Sequence, residues 1–212
     1  MSITTMILGQ SGTGKSASLR NMKAESTLLI QAISKPLPFR SKWSAVSKDN
    51  PTGNIYHTDN ADAICNAMLK TTRDVIVIDD FQYVMSNEFM RRSAEKGYDK
   101  FTEIGRNAWN ILSTANNLPA HKRVYILSHT ENDEQGRVKA KTIGKMLDQV
   151  ITVEGMFTIV LRSQIINEQY VFSTQNNGND TCKSPIDMFA DLHIENDLAK
   201  IDAAIVEYYQ AS

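Results

Sequence analysis

Apolar residues recur along this chain in two rhythms. One is a set of short, mostly apolar runs, at residues 3–8, 27–31, 55–57, 75–78 and 123–127, rich in Ile, Val and Leu. Such runs suit strands covered on both faces, as a parallel sheet requires. The other rhythm is helical. Ala61, Ile64, Cys65, Met68 and Leu69 fall on one stripe, with Asp59 placed as the cap, and Ile104, Ala108, Ile111, Leu112 and Ala115 form a second stripe over 102–116. A first helix is expected near 14–22 and a last one near 195–210, burying Leu198, Ile201, Ala204, Ile205 and Tyr208. Strand and helix alternate up to His129, which predicts an α/β fold with a largely parallel sheet. Beyond it, strands at 150–153, 157–165 and 169–173, with turns at Gly155 and Asn167, predict a C-terminal antiparallel meander.

Two stretches lack either rhythm. Residues 35–52 carry Pro36, Pro38, Phe39 and Trp43 and read as an irregular surface excursion held by its aromatics. Residues 81–105 are polar and rich in charge.

The first strand runs into Gly9-Gln10-Ser11-Gly12-Thr13-Gly14-Lys15-Ser16, followed by Ala17. The octet fits the phosphate-binding loop G-x-x-x-x-G-K-[ST] at every fixed position. Glycines let the backbone curl so that N–H groups point at phosphate oxygens. Lys15 is expected on the β- and γ-phosphates and Ser16 on Mg²⁺, so residues 9–17 are the candidate nucleotide cradle. The run at 75–78 ends in Asp79 and Asp80. Asp79 stands where an acid would hold Mg²⁺, and Asp80 faces the γ-phosphate, where it can orient a water. Ser128 and His129, at the tip of the fifth strand, are expected to converge on the same edge.

The 212 residues fit one domain spanning 1–212, with 42% apolar residues to build a core. Net charge is −1, so contact with nucleic acid must come from local patches. Cys65 and Cys182 lie far apart and outside any metal spacing, as expected of reduced thiols. No run has the length of a membrane span or the pattern of a signal peptide, which predicts a cytoplasmic protein without membrane contact.

No guanine-type N/T-K-x-D element stands at a strand end, no arginine-rich kinase lid follows the core strands, and no helical lid follows His129. Parallel strands followed by antiparallel ones are the arrangement of RecA-like ATPases. Residues 9–20, Lys35-Pro36-Leu37-Pro38-Phe39, residues 75–80, Ser128-His129, the stretch 141–147 (Lys-Thr-Ile-Gly-Lys-Met-Leu), and the tail from Ser184-Pro185 to Asn196-Asp197-Leu198 resemble the phage Sak-type, RecA-like ATPases. These are short relatives of the RecA/RadA recombinase core, and the resemblance covers nearly the whole chain. It implies ATP and Mg²⁺ as ligands, binding of single-stranded DNA, and a role in annealing or recombination. It also allows a single-strand-binding protein as partner and self-association.

On that resemblance the DNA-facing loops are residues 82–100, with Arg91, Arg92, Lys96, Tyr98 and Lys100, and residues 130–145, with Arg137, Lys139, Lys141 and Lys145. Lys139 and Lys141 have the spacing of two RecA lysines that reach a neighbouring subunit's γ-phosphate. The chain departs from RecA in two respects. Its loop lies so near Met1 that the protomer-linking segment of RecA is not expected. Its second strand ends in Gln31 and Ser34 where RecA has a water-activating Glu, which leaves Asp80 or an acid such as Glu88 for that task. Two other readings share the same loop: a nucleotide-dependent protein-binding module such as a helicase loader, and a small-molecule kinase.

Overall fold

The computed structural model describes residues 1–144 and 147–210. In chain order these form β1 (Ile3–Leu8), a 3₁₀ helix (Ser16–Asn21), β2 (Thr27–Gln31), β3 (Ile55–His57), α1 (Ala61–Lys70), β4 (Val75–Asp79), α2 (Gln82–Arg91), α3 (Asp99–Asn116) and β5 (Arg123–Ser128). The chain continues through β6 (Thr130–Asn132), β7 (Val138–Ala140), β8 (Ile159–Ile166), β9 (Gln169–Ser173), β10 (His193–Glu195) and α4 (Leu198–Gln210). The main sheet has eight strands in the order β10-β9-β8-β1-β5-β4-β2-β3. From β8 to β3 every pairing is parallel, and β8-β9-β10 is antiparallel. This is the expected α/β architecture, a largely parallel sheet with antiparallel strands on its C-terminal side. β4 stands one strand away from β1, with β5 between them.

Both faces of the parallel strands are covered, which explains their mostly apolar runs. Met6, Ile30, Ile76, Ile78 and Ile126 meet Ile64, Met68, Val84, Ile104, Ile111 and Leu112 of α1, α2 and α3. On the other face Ile7, Leu29, Val77 and Leu127 meet Leu19 of the 3₁₀ helix, Leu198, Ile201 and Ile205 of α4, and Leu37, Phe39 and Trp43 of the 35–52 excursion. Each fully covered Leu or Ile contributes about 1.5–3 kcal/mol. Among the described residues no helix is long and apolar enough to cross a membrane.

Several elements differ from the sequence-based expectation. Asn60, not Asp59, caps α1: its Oδ1 accepts from the Ala63 N–H at 2.9 Å. Asp59 instead accepts from Asn87 and Arg91, both at 2.7 Å. Leu69 faces solvent. The polar stretch after β4 is helical over most of its length, as α2 and the first turn of α3. The segment expected as a strand at 150–153 is a π-helical turn (Leu147–Ile151) leading into a 3₁₀ turn (Val153–Met156) that contains Gly155. The third antiparallel strand is β10, which lies beyond the loop after β9. Asn167 does mark a tight turn: it and Glu168 sit at φ 48° and 65°, as a two-residue hairpin requires.

Candidate active site

β1, β4 and β5 end at one edge of the sheet, and their carboxyl tips carry the loop, the two acids and His129. Gly9 continues the ladder by donating its N–H to the Ser128 carbonyl at 3.2 Å. Gly12 and Gly14 take φ values of 81° and 95°, where a side chain would be strained. The loop is braced from behind. Ser163 of β8 donates its hydroxyl to the Thr13 carbonyl at 2.5 Å, and Asn196 donates an amide N–H to Ser163 Oγ at 2.9 Å. Arg20 donates to the Asn196 carbonyl at 2.5 Å. Asp197 caps α4 by accepting from the Ala199 N–H at 3.0 Å, and it also accepts from Asn21 at 2.7 Å. The helix after the loop is only the six-residue 3₁₀ turn, so its dipole is small. Anion affinity must come from the backbone N–H groups and Lys15.

Lys15 is buried and donates to the loop's own carbonyls, Gly9 at 2.7 Å and Gln10 at 2.8 Å. Burial lowers its pKa to about 8, against the opposing fields of Asp80 and Asp79. Ser16 donates its hydroxyl to Asp79, at 3.1 Å from Oδ1 and 2.9 Å from Oδ2. Asp79 is fully buried, and burial together with the neighbouring Asp80 raises its pKa. A buried acid beside a loop hydroxyl suits a divalent cation, whose other ligands would be phosphate oxygens and water.

Asp80 adopts φ 61°, a left-handed conformation that non-glycine residues seldom take outside special sites. Its Oδ1 lies 3.3 Å from His129 Nε2, and its Oδ2 accepts from the Lys35 ammonium. Burial would raise the Asp80 pKa, but the hydrogen bonds from His129 and Lys35 outweigh it and the net shift is downward. Burial would likewise lower the Lys35 pKa, and the Asp80 hydrogen bond with the field of Asp79 reverses this to a rise.

These groups surround a cleft of about 400 Å³, bounded by residues 11, 12 and 14–17 on one side and by Lys35, Pro36, Pro38, Asp80, His129 and Tyr170 on the other. It is continuous at Ala17 and Tyr170 with a smaller cleft of about 270 Å³ that also touches Arg20 and Asn196. Tyr170 is half exposed and so close above the loop that a Cβ on Gly14 would lie 3.0 Å from its ring.

Ser128 stays out of the cleft. Its hydroxyl is buried without a partner among the described residues, and its carbonyl serves the loop. Glu88 is also remote: its carboxylate takes Arg92 at 3.1 Å and Asn107 at 3.0 Å. The basic residues of the two expected DNA loops are spread unevenly. Arg91 pairs with Asp59, and Arg92 is held by Glu88, Glu95 and Glu103. Lys100 is buried, donating to the carbonyls of Arg92 and Glu95 over the rings of Phe89 and Phe101. Lys96 and Tyr98 are exposed in the turn before α3. Lys139 pairs with Glu131 in the β6–β7 hairpin, while Lys141 is exposed. Lys145 lies outside the described residues.

No family model matches the chain, and no curated protein matches it. Among solved structures, it is similar to the genome packaging NTPase B204 from Sulfolobus turreted icosahedral virus 2 in complex with ATP-gammaS. That likeness has 11% identity and a TM-score of 0.37, and covers 84% of this chain and 78% of that one.

Lys35, Ser163, Tyr170 and Asn196 were not singled out as site residues by sequence reasoning. Lys35 and Asn196 fall in segments that carry the family resemblance, and the contacts above give those segments a physical task. Ser163 and Tyr170 sit in an ordinary strand pattern that offers no such signal.

Proposed function

We propose that the chain binds ATP with Mg²⁺ in this cleft, hydrolyses it, and uses the nucleotide state to control binding of single-stranded DNA, as a short RecA-like ATPase acting in strand annealing or recombination. The observation that carries the reading is the Ser16–Asp79 contact, which joins the loop to a buried acid 63 residues away across an intervening strand. In this reading the loop N–H groups and Lys15 hold the β- and γ-phosphates. The nucleoside leaves past Ala17 into the smaller cleft, where its base lies against Tyr170. Mg²⁺, when bound, neutralises charge on the phosphates. Lys35 moves from Asp80 to the γ-phosphate, which frees Oδ2 to orient the attacking water and accept its proton. His129, still on Oδ1, reports that change to the β6–β7 hairpin directly after it.

The DNA part of the reading is supported by placement. The hairpin carrying Lys139, with Lys141 just after it, directly follows β5, whose carboxyl tip forms part of the nucleotide edge, while the turn carrying Lys96 and Tyr98 lies one helix, α2, beyond the tip of β4.

The test is a salt titration of oligonucleotide binding, with and without ATP, alongside phosphate release. The proposed function requires ATP uptake, Mg²⁺-dependent phosphate release, and single-strand affinity that falls steeply with salt. ATP uptake with no measurable DNA affinity favours the protein-binding module or, if a small acceptor is phosphorylated, the kinase. Absence of ATP uptake by folded protein overturns all three.

A further inference from the structure

Beside the nucleotide cleft lies a second one of about 450 Å³, at the tips of β2 and β3. The two share Lys35 and Pro36 as a common wall. The volume falls in the range of about 300–1,000 Å³ typical of ligand sites. Phe39 and Trp43 line it, edge to face with centroids 6.2 Å apart, together with Ile55 and His57. Its remaining feature is Gln31, 2% exposed, whose amide nitrogen and oxygen are both buried with no hydrogen-bond partner among the described residues. Gln31 stands in register with Asp79 on one side and His57 on the other. A carboxamide offers a donor and an acceptor side by side, the complement of a nucleobase edge.

The excursion that builds this cleft is strongly basic. Residues 35–52 carry Lys35, Arg40, Lys42 and Lys48 against a single acid, Asp49, and the cations alternate with Phe39 and Trp43. Arg40 and Lys42 are exposed, and no ion pair engages either among the described residues. This contrasts with Arg91, Arg92 and Lys100, whose charges are already answered within the fold. Cations interleaved with aromatic rings are the composition of a surface that tracks a single strand, phosphates on the cations and bases on the rings.

We propose that the 35–52 excursion is a single-strand nucleic-acid surface, and that an unpaired base enters the cleft between Phe39, Trp43 and Gln31. The inference rests on the proposed binding of single-stranded DNA and gives it a location that the family resemblance does not. Because Lys35 belongs to both clefts and pairs with Asp80, a strand seated here acts on the γ-phosphate end of the nucleotide site through one side chain.

The chain has two tryptophans, so in a Trp109→Phe background Trp43 alone reports. A labelled single-stranded oligonucleotide, the matching duplex and free nucleoside monophosphates would each be titrated, with label anisotropy and Trp43 emission read together. The expected result is quenching by the single strand and far less by the duplex. Quenching by free nucleoside monophosphates as strong as by the strand would overturn the strand as occupant in favour of a free nucleotide. The exposed pair Arg40→Ala and Lys42→Ala should cut the slope of log K against log salt by about 1.4, two phosphate contacts at about 0.7 each. Gln31→Met, which keeps the volume and removes the amide, should weaken binding about tenfold. Strand binding with unchanged Trp43 emission and an unchanged salt slope in the double variant overturns this inference and leaves the proposed function standing. Loss of binding in Lys96→Ala with Tyr98→Ala but not in the Arg40 and Lys42 variant does the same. No strand binding in any form of the protein overturns the proposed function itself.

Discussion

Lys15 gives the sharpest quantitative prediction. Its ammonium rests on the loop's own carbonyls, and burial brings its pKa from 10.5 to about 8. That gap corresponds to roughly 3 kcal/mol net against the charged form, burial outweighing the attraction of Asp80 and Asp79. A triphosphate in the loop supplies the missing counter-charge and draws the pKa back up, so binding above pH 8 requires uptake of a proton. The sign follows directly: below about pH 7 the lysine is charged in both states and affinity does not depend on its titration. Above pH 8 the binding-competent fraction falls tenfold per unit, and apparent affinity falls with it. The dissociation constant for Mg-ATP should therefore be about tenfold higher at pH 9 than at pH 7. Calorimetry at both pH values, in two buffers of different ionisation enthalpy, reads affinity and proton uptake together. Lys15→Arg is the control, because a guanidinium stays charged throughout and its affinity should be flat. A flat wild-type curve, or the same slope in the arginine variant, would refute the assignment of Lys15 as a desolvated phosphate ligand.

Three further outcomes follow from the same geometry. Asp79→Asn removes a buried charge whose pKa is raised by burial, so thermal melts should show the ligand-free variant more stable by about 1 kcal/mol, while the Mg²⁺ dependence of ATP binding disappears. Tyr170→Ala should weaken ATP by about 1–3 kcal/mol, the value of a base–aromatic stack, and leave pyrophosphate affinity unchanged when the two are titrated side by side. Ser163→Ala leaves the Thr13 carbonyl and the Asn196 amide without their partner, so denaturant unfolding should show a loss of about 1–3 kcal/mol and nucleotide affinity should fall although Ser163 need not touch the nucleotide.

How far the sequence discloses this molecule depends on how local each signal is. β2 and β3 have the bounds the apolar runs predict, because Leu28, Leu29, Ile30 and Ile55 are buried between the layers that cover the sheet. The loop octet is legible for a similar reason: Gly12 and Gly14 occupy backbone conformations that other residues strongly disfavour. Tertiary choices are not legible. Residues 150–153 have the composition of a strand, but the fold places Leu147 and Val153 against the α1–α3 face of the core, and a π turn with a 3₁₀ turn does this where a strand would not. Asp59 loses its capping role because Asn60 is one residue nearer the helix and Arg91 offers a charged partner. Arg92 illustrates the limit on reading charge. Of its carboxylate partners Glu95 is close by in sequence, but Glu88 and Glu103 lie outside a window of residues 91–100, so that window shows only part of its neutralisation.

The bracing of the phosphate loop by Ser163 and Asn196 has a consequence for biosynthesis. The residues that give the octet its shape are made some 150 to 180 residues after it. A growing polypeptide on the ribosome would carry the glycine-rich turn long before it could grip a nucleotide, and competence would arrive only once the antiparallel strands and the last helix had emerged and docked.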